Sequence, residues 1–371
     1  MTEEESPKST RFKRTSRFKR PKAAPEAMMD APAAGGAEGP PPAPSALPVS
    51  APPVADSPII SDLQPDIPEV VEEQPIFTEA AKVNVLTIDV KEWFQTEAFS
   101  DIIKFSHWSK YERRVERGVH LILALLRQHN IKATFFVLGI VAREFPELVR
   151  LLSQEGHEIG VCGYYNRRLY SIPPADYISE LEMSLTLLKS LTGKNVTVHR
   201  APGWSVTANT LWVLDVLQKY GIKYDSSIYP VKAPLYGIDD APSVPYVINP
   251  HGITEFPPGV YNFMGKKIAM FGGTYLRILP YNLISMGLQS VNRQGDPVLF
   301  HISPWEMEGE IPQVNLGWDG FLAQYAGLKT TFSKISRILN EYKFDTLTNV
   351  LKENPPNEGV HLKTLQRGRI V

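Results

Sequence analysis

Residues 156–166 read Gly-His-Glu-Ile-Gly-Val-Cys-Gly-Tyr-Tyr-Asn. The run His157–Gly163 has the apolar character of a strand covered on both faces, and Gly163 turns the chain toward a helix. That places positions 162 and 166 at the rim of a sheet, where α/β proteins carry their chemistry. Two histidines four residues apart in such a turn would clamp one cation. The thiol of Cys162 and the amide of Asn166 do so poorly, and the function of the chain depends on how that pair is read.

Working outward, strands and helices alternate. Val83–Val90 (VNVLTIDV) is β-branched and nearly continuous in apolar character. Arg113–His129 carries a helical stripe of Val115, Val119, Ile122, Leu123 and Leu126. Lys132–Leu138 reads as a strand, Val141–Gln154 as a helix, and Pro173-Pro174 open a helix that runs to about Leu191. Val196–Arg200, Ile222–Asp225 and Pro297–Ile302 read as further strands, with helices at Thr207–Tyr220 and Gly320–Tyr342. This alternation predicts a parallel α/β sheet, open or closed into a (β/α) barrel. The strand ends carry Asp89, Cys162, Arg200, Asp225 and Ser303, which favours a barrel with its mouth at the C-terminal face. Residues 229–296, proline-rich with short apolar pieces, read as an irregular insertion over one side. Residues 346–371 read as a C-terminal tail.

With 371 residues and a net charge of −1, the chain favours neither nucleic acid nor a membrane by overall electrostatics. Cys162 is the single cysteine, so no internal disulfide forms. No run of about 18 apolar residues marks a membrane span. The N-terminus lacks the apolar core of a secretory signal, so a cytoplasmic location is expected.

Residues 1–80 are different material. Between 23 and 75 lie 13 of the 32 prolines, and no aromatic residue occurs between Phe18 and Phe77. Such an arm buries too little apolar surface to offset its ordering entropy and is expected to be disordered. It opens with a basic repeat, Arg11-Phe12-Lys13-Arg14 and Arg17-Phe18-Lys19-Arg20. Two readings stand: a solvated tail, or an electrostatic tether in which residues 8–22 meet anionic lipid on the inner face of the membrane.

The strand-end motifs, taken together, resemble those of the polysaccharide deacetylases, the NodB-homology group or carbohydrate esterase family 4. The residues that carry the resemblance are Leu86-Thr87-Ile88-Asp89-Val90-Lys91-Glu92-Trp93-Phe94, Lys132–Gly139, Gly156-His157-Glu158-Ile159, Arg200-Ala201-Pro202, Tyr224–Ile228 and Pro304-Trp305-Glu306. The Gly272-Gly273-Thr274-Tyr275-Leu276-Arg277 and Tyr325–Thr331 stretches resemble the subgroup encoded in exopolysaccharide loci with exosortase-type sorting. The resemblance covers about residues 82–345. It implies a deacetylase-type (β/α) barrel, irregular or incomplete, behind the long arm.

The chemistry that the resemblance implies needs a divalent metal to polarise the acetyl carbonyl and activate water, a carboxylate base, and a histidine acid for the departing amine. Carried onto this chain, the base is Asp89, oriented by Arg200. The acidic metal ligand falls at Lys91 or Glu92, the paired histidines fall at Cys162 and Asn166, and the acid histidine falls at Ser303. Three histidines are therefore missing, and an ammonium stands where a ligand belongs. The expectation is a catalytically inactive pseudoenzyme of carbohydrate metabolism that binds an acetylated glycan or a polysaccharide-assembly protein, with no metal cofactor. The alternatives are an active N-deacetylase with a site rebuilt from Asp89, Glu92, Cys162 and His301, holding zinc or another divalent ion, and a purely structural scaffold. Trp93, Trp204, Trp305 and Tyr164 lie beside the mouth motifs as candidates for sugar contact. Each also fits a core position. His301 is either a replacement acid or a packed histidine, and Lys91 either replaces the metal's charge or lies on the surface.

Overall fold

A computed structural model of the protein describes residues 82–356 and 359–361. The proposed disordered arm, its basic repeat and the lipid tether lie outside the described residues. Every residue of β1 (Asn84–Val90) is buried, as its apolar run requires. It leads to α1 (Val115–Gln128), which buries Val119, Ile122 and Leu126 on one stripe. Then come β2 (Thr134–Val137), α2 (Gly139–Glu144), α3 (Pro146–Gln154) and β3 (Glu158–Val161). The single helix expected over Val141–Gln154 is two, because Pro146 has no N–H to continue the ladder and starts a new helix instead. After α4 (Pro174–Thr192) follow β4 (Val198–His199), α5 (Val213–Lys219) and β5 (Tyr224–Asp225).

The stretch read as an irregular insertion is structured. It holds β6 (Tyr246–Asn249), β7 (Ile253–Glu255), a hairpin of β8 (Tyr261–Phe263) and β9 (Lys266–Ile268), and α6 (Gly273–Ile278) and α7 (Tyr281–Asn292). Its prolines punctuate short elements, which hides their periodicity. Then follow β10 (Leu299–Ile302), α8 (Trp318–Tyr325), α9 (Leu328–Glu341), β11 (Phe344–Asp345), α10 (Leu347–Glu353) and β12 (Gly359–His361). The one helix expected over Gly320–Tyr342 breaks at Gly327, whose φ of 77° only glycine adopts freely. The packed unit runs past residue 345, since Leu347, Val350 and Leu351 of α10 are buried.

The main sheet has the order β10-β1-β2-β3-β4-β5-β7-β6-β12, with β11 also paired to β1. All neighbours are parallel except β6 and β7. Strand pairing leaves the two ends apart, yet the chain after β7 meets β10, where the Gly259 N–H donates to Leu299 O at 3.0 Å. The barrel is thus closed by irregular backbone, and its C-terminal strand ends converge on one mouth. Among the described residues no helix is long and apolar enough to cross a membrane.

Candidate functional site

Asp89 ends the buried run of β1, and Arg200 follows β4 across the mouth. Arg200 Nη1 donates to Asp89 Oδ1 at 2.8 Å and to Thr87 Oγ1 at 2.9 Å. Its Nε and Nη2 donate to the carbonyl and hydroxyl of Ser226. The guanidinium is sandwiched between the rings of Phe136 (4.1 Å) and Trp204 (4.4 Å). Burial pushes the Asp89 carboxyl up, but the charges of Arg200 and Lys91 more than offset it and hold the carboxyl below its ordinary range. Asp89 is therefore an ionised carboxylate fixed in a nearly dry site.

Lys91 enters the same mouth. It is 8% exposed, and its Nζ lies 3.2 Å from Glu97 Oε1 and 3.4 Å from Oε2. Burial favours the neutral amine, yet Glu97 and Asp89 keep the ammonium charged and raise its pKa. Asn166, in a left-handed conformation (φ 57°), donates its side-chain N–H to Gln95 O at 2.6 Å and to Glu97 Oε1 at 3.3 Å. Cys162 is 3% exposed within the apolar core, where burial and the Asp89 carboxylate push its thiol up and keep it protonated.

These residues do not fit a divalent metal. A bound ion needs lone pairs aimed at it, and here a cation and an amide N–H turn toward Glu97 while the thiol keeps its proton. No cluster of three or more His, Cys, Asp or Glu ligands occurs among the described residues.

Glu92 corrects the expectation that it shares the mouth. It is fully buried and faces away, its Oε2 accepting the Arg114 N–H at 2.9 Å at the start of α1. Burial pushes this carboxyl up to about 7. Ser303 is at the mouth as expected, and its N–H donates to Glu306 Oε2 at 2.7 Å. Glu306 in turn accepts from Arg277 Nε at 2.8 Å, and Arg277 lies over the Trp305 ring. Asp225 turns inward instead, bonded to His199 Nδ1 at 2.7 Å.

A cleft of about 330 Å³ opens over this floor, lined by Asp89, Lys91, Glu97, Arg168, Trp204, Tyr229, Tyr236, Tyr275, His301, Ser303 and Trp305 among others. Trp204 and Trp305 thus lie on the cleft. Trp93 does not. It is 1% exposed, packed edge-on against Phe94, Phe99 and Tyr111, with its Nε1 bonded to Glu112 O. Tyr164 is also withdrawn, 5% exposed, in close contact with Gly139. Both are core residues, packed in the apolar clusters beside the mouth. The His301 ring meets Trp204 edge-on at 4.8 Å and forms part of the wall. Burial and the Arg200 charge push its pKa down to about 3.

Sequence reasoning missed Glu97, the partner of Lys91. The available signal was a new carboxylate in the turn just after the β1 motif, facing an unexpected lysine. It also gave Arg277 no role, because only the fold brings α6 within reach of Glu306.

Residues 108–224 match the family described as polysaccharide deacetylase, and residues 226–352 match a domain of unknown function, DUF3473. A peptidoglycan deacetylase of Helicobacter pylori is 32% identical over 113 residues, 30% of this chain and 38% of that protein. A peptidoglycan-N-acetylglucosamine deacetylase of Bacillus cereus is 31% identical over 117 residues, 28% of this chain and 42% of that one. The chain thus spans less than half the length of these relatives. A Mycobacterium smegmatis structure assigned to the polysaccharide deacetylases superposes with a TM-score of 0.50 at 17% identity, covering 78% of this chain and 96% of that one. That likeness is one of fold. Residues 108–224 thus match the polysaccharide deacetylase family model, and the mostly parallel α/β sheet is similar in fold to a solved structure assigned to that family.

Proposed function

We propose that the protein binds an acetylated glycan in the mouth of its barrel and does not hydrolyse it by the metal-dependent route. The observation that carries this reading is the Lys91–Glu97 ion pair with Asn166 bonded to the same carboxylate, which fills the ligand positions with a cation and its partner. Trp204, pinned on Arg200 and half-buried, lines the cleft with an aromatic ring of the kind on which sugars pack. The relatives act on acetylated peptidoglycan sugars, which makes an N-acetylhexosamine polymer the substrate class to try first. We place the protein in exopolysaccharide production, held at the inner face of the membrane by its basic arm, where it would present glycan to an assembly partner.

The rival reading, an active deacetylase with a rebuilt site, draws support from Asp89 and His301 lining one cleft. Glu92 and Cys162 do not join them. Titration of chitooligosaccharide into the wild-type chain and a Trp204→Ala variant, with acetate release assayed in parallel, tests the proposal. Saccharide binding weakened at least about tenfold in the variant, without acetate release, is the expected result. Chelator-sensitive acetate release would establish the rival, and no saccharide binding at all would leave a scaffold.

A further inference from the structure

One wall of the cleft does not end in polar surface. Leu235 and Tyr275 line the cleft and are 52% and 47% exposed. One turn along α6 stands Ile278, 50% exposed, and α8 adds Leu322 (40%), Phe321 (39%) and Trp318 (73%). Thr274 Oγ1 donates to Ala323 O at 3.1 Å, and Arg277 Nη1 donates to Gln324 O at 3.2 Å, so α6 and α8 present one fixed surface. Trp318 stacks on Phe321 at 6.5 Å rather than covering itself in the core. Large apolar side chains left exposed on and beside one cleft mark a binding surface. Six side chains fall well short of the 20–30 residues or so per side of a stable protein interface. Leu235 and Tyr275 belong both to this exposed set and to the lining of the pit floored by Asp89, Lys91 and Glu97. A polar pit with an apolar apron along one lip matches an amphiphile: a sugar with a hydrocarbon attached.

We infer that the ligand is a glycan still joined to a hydrocarbon carrier, with the sugar beside Trp204 and the first methylenes of the chain lying along Tyr275, Ile278 and Leu322. This rests on the glycan-binding reading above and specifies its ligand. The attachment would hold the glycan at the lip while its sugar enters the pit.

The test uses the full chain and methyl, butyl and octyl β-N-acetylglucosaminides, each below its micellar concentration, followed by calorimetry. A methylene on an open apron is covered on one side only, so each is expected to tighten binding about twofold, half of the full-burial effect in free energy. The octyl glycoside should therefore bind roughly 100-fold more tightly than the methyl. Ile278→Ser with Leu322→Ser should remove most of that gain and leave methyl glycoside affinity unchanged. Equal affinity for methyl and octyl glycosides overturns the inference and leaves glycan binding standing. Binding of octyl glycoside and octyl maltoside alike, with none of the methyl glycoside, overturns both, as does no binding of any. A dimer in sedimentation that the double substitution dissolves would assign the apron to a second copy and overturn the inference alone.

Discussion

The Nζ of Lys91 stands 3.2 Å from Glu97 Oε1, inside the cleft that both line together with Asp89. The pair places a fixed positive charge beside Asp89 and gives it a counter-ion, so the mouth is electrically settled without an added cation.

Zinc titration of the wild-type chain is therefore expected to show no tight stoichiometric site. Lys91→Glu, Cys162→His, Asn166→His and Ser303→His together should raise zinc affinity by on the order of 100-fold or more, because a full ligand set is worth many kcal/mol. Adding Glu97→Ser should lower it, by removing a carboxylate whose negative charge favours a nearby cation. Equal zinc affinity in wild type and variant would refute the account of the site.

Breaking half of the ion pair leaves a charge with little solvent. Glu97→Gln is expected to cost about 1–3 kcal/mol, less than a fully buried pair because the Glu97 side chain keeps 29% exposure. Lys91→Met with Glu97→Gln should cost less than the sum of the single changes. Urea unfolding of the four proteins measures the coupling, and strict additivity would mean the contact carries none.

Glu92 supplies a pH dependence of opposite sign to that of most carboxylates. An unfolded Glu ionises near 4.5, and burial raises the folded value to about 7. The folded chain thus binds the extra proton between these values, and the contribution is complete below 4.5 and lost as pH rises through 7. Glu92→Gln keeps an acceptor for the Arg114 N–H without the charge. Its stability relative to wild type should rise by roughly 2–3 kcal/mol between pH 4 and 8. A pH-independent difference in thermal unfolding would contradict a raised carboxyl.

Gly272 lies against the His301 ring, and a Cβ built there would stand 2.1 Å from its Cε1. Gly272→Ala should cost about 1–3 kcal/mol by overpacking and turn the ring away from Trp204. Thermal unfolding gives the first effect. Altered quenching of Trp204 fluorescence, isolated by comparison with Trp204→Phe in both backgrounds, gives the second.

The parallel sheet was legible because β1, β2 and β3 are apolar runs whose order with the helices leaves few topologies. The strand-end positions were legible for the same reason: Asp89, Arg200 and Ser303 each follow such a run. The region 229–296 was not, since β6 to β9 are three or four residues long and carry no period to read. Trp93 and Tyr164 misled because sequence places a residue near a strand end without giving its direction. Glu97 was invisible as a functional group because its meaning comes from Lys91, six positions back, across a turn that only the packed 93–99 segment defines.

The bond between Lys91 and Glu97 also constrains how this mouth can change by single substitutions. Changing the lysine to an acid alone would set two carboxylates against each other, and changing Glu97 alone would strand the ammonium. Each single change leaves a charge without its partner, so the two positions act as one unit that only a paired change can replace.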